Sequence, residues 1–348
     1  MSKRLFGAIS LCAFLAAAPA FGDGPDPSPS VSNVPTSSTI PATAAGSLDP
    51  DGLRPETSAI LDACFDDYNR LRFDRAEAEA RHAMALQPES PLAPLYLQAE
   101  LAAQIQEASL AGASLDGALE RFDAAARASE PLIAAWEGGR HDGRAQLYLG
   151  TSLGTRALVD LYRHRLLAAY QEGRSANAAL LLAQKRDPAL RAADLGLGQF
   201  LYYSGRLQGI LRLFLSLQGD IAGGIRRIEA CGSDSNRCSC LARLVLARIL
   251  TEEEPDFQRA LPYVQEAQSR YPENWAYERL ALEEAKGLGL DKPAAQSLVL
   301  ALAARWDAGW RPPAYVRLDP EPLRRDMVRV CGRAHDPAGE HRQLAALP

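Results

Sequence analysis

Three stretches of this chain carry the same spaced triple of small residues and proline. Ala76, Ala83 and Pro88 are separated by seven and five, and the sets Ala176, Ala183, Pro188 and Ala260, Ala267, Pro272 repeat both separations. Residues seven apart lie two turns along one stripe of an α-helix, and small side chains there let a second helix approach closely. A proline past the last turn stops the helix, because it has no N–H to donate and its ring clashes with the turn before it. Looser copies follow at Ala118 and Ala125, with Pro131 one place late, at Ala294 and Ala301, with Trp306 in the proline's place, and at Gly223 and Ala230. Successive copies are 42, 58, 47, 37 and 34 residues apart, an irregular array with insertions.

Ahead of each marked helix runs another apolar, helix-periodic segment, at 60–71, 92–105, 145–161, 190–203, 241–250 and 275–288. The pattern predicts helix pairs that stack into an all-α solenoid, since one such pair has no way to bury its apolar face alone. Composition agrees: hydrophobic residues make up 47% and aromatics only 7%, the mark of a core built from Leu and Ala in helices.

With its opening Phe73, the first triple resembles the second helix of a tetratricopeptide repeat, in which an aromatic or small residue is followed by alanines three and ten places later and a closing proline. Phe257 before Ala260, Ala267 and Pro272 fits the same order, and Gly173 takes the opening place before Ala176, Ala183 and Pro188. The resemblance spans roughly residues 56 to 306, and the extended repeat region is read as 56–310. It implies a right-handed α-solenoid of antiparallel helix pairs with a protein or peptide partner in its concave groove. The first helices lack the family's usual Trp and Gly combination. A fainter similarity, carried by "DLGLGQFLYYSGRLQGILRLFLSLQGD" at 194–220, is to the branch that includes eukaryotic mitochondrial-outer-membrane proteins. "GLG" at 196–198 reads as small positions where another helix crosses.

The ends of the chain have a different character. Lys3 and Arg4, the apolar run Leu5 to Ala18, and Ala18-Pro19-Ala20 form a secretory signal over residues 1–20, too short for a comfortable membrane span. Retention as an anchor is the alternative. Residues 21–55, rich in Pro, Ser, Thr and Gly, are expected to be a disordered linker. Residues 311–348 are read as a C-terminal capping helix, from about Glu321 to Val330 behind Asp319, and a tail.

Charge narrows the partners. The full chain carries a formal −5, and removing the signal takes Lys3 and Arg4 with it. A nucleic-acid partner demands a basic patch, which this acidic chain does not show. His82, His141, His164, His335 and His341 stand in no H-E-x-x-H pair and beside no nucleophile elbow. No catalytic set, cofactor or metal is therefore expected. Export places Cys64, Cys231, Cys238, Cys240 and Cys331 where disulfides persist, and C-x6-C-x-C lacks zinc spacing, so Cys231 is expected to bridge to Cys238 or Cys240. "TEEEP" at 251–255 reads as a solvated turn, with Asp256 capping the next helix.

Two surfaces are candidates for contact. By position on the first helices, Asn69, Gln98, Tyr148, Arg156, Gln199 and Tyr202 are expected to line the groove. The segment 207–217, with Leu207, Ile210, Leu211, Phe214 and Leu217, is either a buried helix or an exposed apolar segment that meets a membrane or a hydrophobic partner.

Overall fold

The computed structural model describes residues 49, 51–139, 143–206, 219–234, 238–316 and 318–334. The signal, most of the linker, segment 207–217, His141, His335 and His341 lie outside them. Within them the chain forms α1 (Pro55–Asn69), α2 (Phe73–Leu86), α3 (Leu92–Ala111), α4 (Asp116–Gly139), α5 (Arg144–Tyr162), α6 (Leu166–Arg186), α7 (Ala192–Arg206), α8 (Ile221–Gly232), α9 (Cys238–Arg248), a π-helical turn (Ile249–Glu253), α10 (Phe257–Arg270), α11 (Trp275–Leu288), α12 (Pro293–Asp307) and α13 (Glu321–Ala334). No strand occurs among the described residues.

Local signals account for the ends of these helices. Side chains of Asp220, Asp256 and Asn274 accept backbone N–H groups at the starts of α8, α10 and α11, and Asp319 does the same for α13. Helices α2, α6 and α10 each stop two residues before Pro88, Pro188 and Pro272. Pro131 behaves otherwise: it lies inside α4, and the helix continues to Gly139. The ring is on the exposed face, where water serves the carbonyl that has lost its donor. The organised chain also begins earlier than residue 56. Asp51, Gly52 and Leu53 are buried, and Gln87 holds them by donating to the Gly52 carbonyl and accepting the Arg54 N–H.

Each helix packs on its neighbour in sequence, and odd helices also pack on one another, α1 on α3, α3 on α5, α5 on α7 and α7 on α9. This forms an inner layer. Every residue from Ser90 to Ala102 is buried, as is every residue from Ala192 to Gln199 and from Leu244 to Thr251. A helix buried around its whole circumference belongs to a core. Even helices bury one stripe only, and that stripe contains Ala76, Ala83, Ala176, Ala183, Ala260 and Ala267, none more than 2% exposed. Helices α7 and α8 approach closely: a Cβ on Gly198 would meet the Gly224 carbonyl at 2.7 Å, and one on Gly224 would meet the Gly198 carbonyl at 2.6 Å. Leu318, Leu323 and Met327 continue the core into α13, which packs on α12.

Polar contacts recur from pair to pair. Gln184, directly after Ala183, donates to Asp194 on α7, which also receives Arg227 from α8. Gln268, directly after Ala267, donates to Glu278 on α11, which receives Arg305 from α12. Two interhelix turns repeat as well. In "DYNRLRF" at 67–73 and "DLYRHRL" at 160–166, the third and fifth residues after Asp67 and Asp160 are arginines that pair with it, apart from Arg70, which turns to Glu273. Leu71 and His164 both take left-handed backbone, φ 60° and 58°.

Candidate functional site

Most of the side chains expected in a groove are inside the protein. Gln98 is fully buried, donating to Ser129 and accepting from Ser152 at 2.9 Å each. The Tyr148 hydroxyl donates to Asp51 at 2.9 Å, and Gln199 is buried on α7. Tyr202 is buried with its hydroxyl 3.3 Å from Glu253 and from Glu254. Asn69 is buried at the end of α1, where it accepts the Tyr277 hydroxyl. Only Arg156 keeps an open aspect, one third exposed and shared between Glu130 and Glu172. The other five are buried, and the side chains of Asn69, Gln98, Tyr148 and Tyr202 are engaged in hydrogen bonds inside the fold.

Asn69 belongs to a junction between the two ends of the fold. Its carbonyl accepts from Asn274 and its side-chain oxygen from Tyr277, both at 2.8 Å. Around this pair, Tyr271 donates to Asp66 at 3.0 Å, Arg270 pairs with Asp66 at 3.2 Å, and Arg70 and Arg72 both reach Glu273 at 3.0 Å. A second bridge runs nearby. Tyr315 donates to Glu107 on α3 at 2.5 Å and lies edge-on to Trp275, the first residue of α11. Helix α1 thus meets the α10–α11 corner, and α3 meets Tyr315, each across more than 200 residues of chain.

The glutamates of the acidic run 251–255 are part-buried and paired with arginines. Glu252 pairs with Arg279 at 2.6 Å, Glu253 with Arg248 at 3.1 Å, and Glu254 with Arg206. Burial pushes the Glu253 carboxyl above the ordinary range, and Arg248 and Arg206 oppose that. The π-helical turn carries Glu252 and Glu253, with Glu254 at its end, a local unwinding of the kind that re-aims side chains. The cluster stands beside Arg206, the last described residue before segment 207–217.

Other candidates resolve as follows. Cys231, next to the last residue of α8, and Cys238, the first of α9, are buried, as are Cys64 and Cys240. The side chain of Cys331 lies outside the described residues. Among those described, no group of His, Cys, Asp and Glu gathers into a metal-binding set, and no helix is long and apolar enough to cross a membrane.

The surface that remains is the outer layer. Of the seven large hydrophobic side chains that stand exposed among the described residues, four belong to α6: Leu166, Leu167, Leu181 and Leu182. Sequence reading passed over them because α6 had been singled out only for its buried alanines, although Leu167, Arg174 and Leu181 repeat the seven-residue spacing on the opposite side. Chemically these elements offer contact surfaces. No family model, curated protein or solved structure matches the chain.

Proposed function

We propose that the chain is an exported, non-catalytic scaffold of tetratricopeptide-like type, a right-handed superhelix of six antiparallel helix pairs capped by α13, that binds a protein or peptide partner in the cell envelope. The observation that carries this reading is the stack itself: successive odd helices pack on one another while even helices dock through alanine stripes. That construction spends its residues on an extended exterior. Fold alone does not set function, so the partner is defined only as a macromolecule reading an exposed face.

The residues at 1–20 support export, and the buried state of Gln98, Tyr148, Gln199 and Tyr202 moves the contact surface to the rims and the outer helices. Affinity purification from the envelope fraction, with and without crosslinking, is expected to recover one reproducible partner. Failure to recover any removes the scaffold reading.

A further inference from the structure

We propose that the outward face of α6 rests on an anionic lipid surface. On a helix with 3.6 residues per turn, Leu167, Gln171, Arg174, Ala178, Leu181, Leu182 and Lys185 fall within an arc of about 100°, along a stripe of about 27 Å. Directly opposite lie the buried Ala169, Ala176 and Ala183. Leu167 is 67% exposed, Leu181 49% and Leu166 47%. Three exposed leucines within this arc, with Leu166 beside it, form a concentrated apolar ridge, whereas Leu110 and Leu300 stand alone on α3 and α12.

Charge selects the occupant. The chain as a whole is acidic, yet α6 has one acidic residue, Glu172, and it is turned aside to pair with Arg156. Among the described residues, Arg174 meets the Tyr170 ring and hydroxyl, and Lys185 extends from the same stripe with no carboxylate paired to it. A second copy of this face would set cation against cation, which disfavours a symmetric dimer. The flanking helices add Arg127, and Arg226 paired with Asp220 at 3.7 Å, to small outward residues, Ala124 and Ala128 on α4 and Ala222 and Ala230 on α8. Ion pair Arg186–Glu137 joins α6 to α4, and the hydrogen bond from Arg227 to Gln184 joins it to α8. Leucines rising beside Arg127, Arg174 and Lys185 match an interface of lipid headgroups and upper acyl chains. The assignment is independent of segment 207–217 and of the partner proposed above.

The experiment is co-sedimentation of the full chain with phosphatidylglycerol-containing vesicles, beside purely zwitterionic vesicles and a salt series. Wild type is expected to bind the anionic vesicles and to release as salt rises. Leu167→Asp with Leu181→Asp abolishes sedimentation, Arg174→Glu with Lys185→Glu weakens it by about fivefold or more per residue, and Leu300→Asp leaves it unchanged. All these positions are exposed, so unchanged melting temperatures verify that the variants fold. Equal binding to both vesicle types, or undiminished binding by the α6 variants, overturns the proposal. It is equally overturned if vesicles are ignored while the same variants lose an acidic protein partner, or if Leu211→Asp with Phe214→Asp alone abolishes binding.

Discussion

Ala83 shows how much a single small side chain decides. It is fully buried between α2 and its neighbours, whereas Ala85, two residues along, is exposed. Ala83→Leu is expected to cost about 1–3 kcal/mol through overpacking, with Ala85→Leu nearly silent; thermal melts of the two compare them directly. That contrast is readable from spacing, because period alone separates the two faces. Buried charge is not. Glu100 is 1% exposed, with one oxygen held by Gln104 and the other without a partner. Burial raises its carboxyl from an ordinary 4.5 to about 8, and raises Glu284 to about 7. A group that holds its proton more tightly when folded adds stability fully below pH 4.5 and loses it as pH climbs toward the folded value. Stability should therefore decline between about pH 5 and 8 on account of both. Glu100→Gln should flatten that slope and raise stability at pH 8 by about 1–3 kcal/mol, as read by denaturant titration across pH. An unchanged slope would show that Glu100 stays ionised. Such a residue looks like any surface glutamate in a helical sequence; its environment is set by side chains of the adjoining α2 and α4, beyond the span of a local pattern.

Helices and the corners between them were legible to different degrees. The alanine triples anticipate α2, α6 and α10 with their stops, because a helix terminus obeys local chemistry. Pro131 misleads by the same logic, since a proline on a solvated face is tolerated within α4. The corners at Leu71 and His164 went unread, although their shared sequence "D-x-x-R-x-R" was visible at 67–72 and 160–165. Arg72 and Arg165 donate their N–H groups back to the Asp67 and Asp160 carbonyls at 2.8 Å, which closes each turn with a left-handed residue in the middle. Side-chain-bearing residues pay about 1 kcal/mol or more for that backbone, and Gly112 at the α3 corner avoids it. His164→Gly is expected to stabilise by about 0.5–1 kcal/mol, visible as a raised melting temperature. A fall instead would mean that the imidazole contributes more than the backbone strain removes.

Over the whole molecule, the stack was foreseeable and its closure was not. Helix order follows from period and punctuation, but the meeting of Asn69 with Asn274 and Tyr277 depends on how curvature accumulates across six pairs, a quantity no local segment encodes. The exposed ion pairs at this junction, Arg70 and Arg72 with Glu273, count for little in water; the buried hydrogen bonds count for more. Tyr277→Phe leaves the Asn69 oxygen without its donor and should cost about 1–2 kcal/mol. If small-angle scattering finds the same dimensions for this variant combined with Glu273→Arg, the junction merely accompanies the curvature; expansion shows that it holds the ends together. A linear array of repeats ordinarily frays from its termini, each unit answering only to its nearest neighbours. Here the terminal units are each other's neighbours, so stripping one exposes the other. Hydrogen exchange should then reveal a single cooperative unfolding unit that includes α1 and α11, slow to assemble because its last contacts await nearly the whole chain.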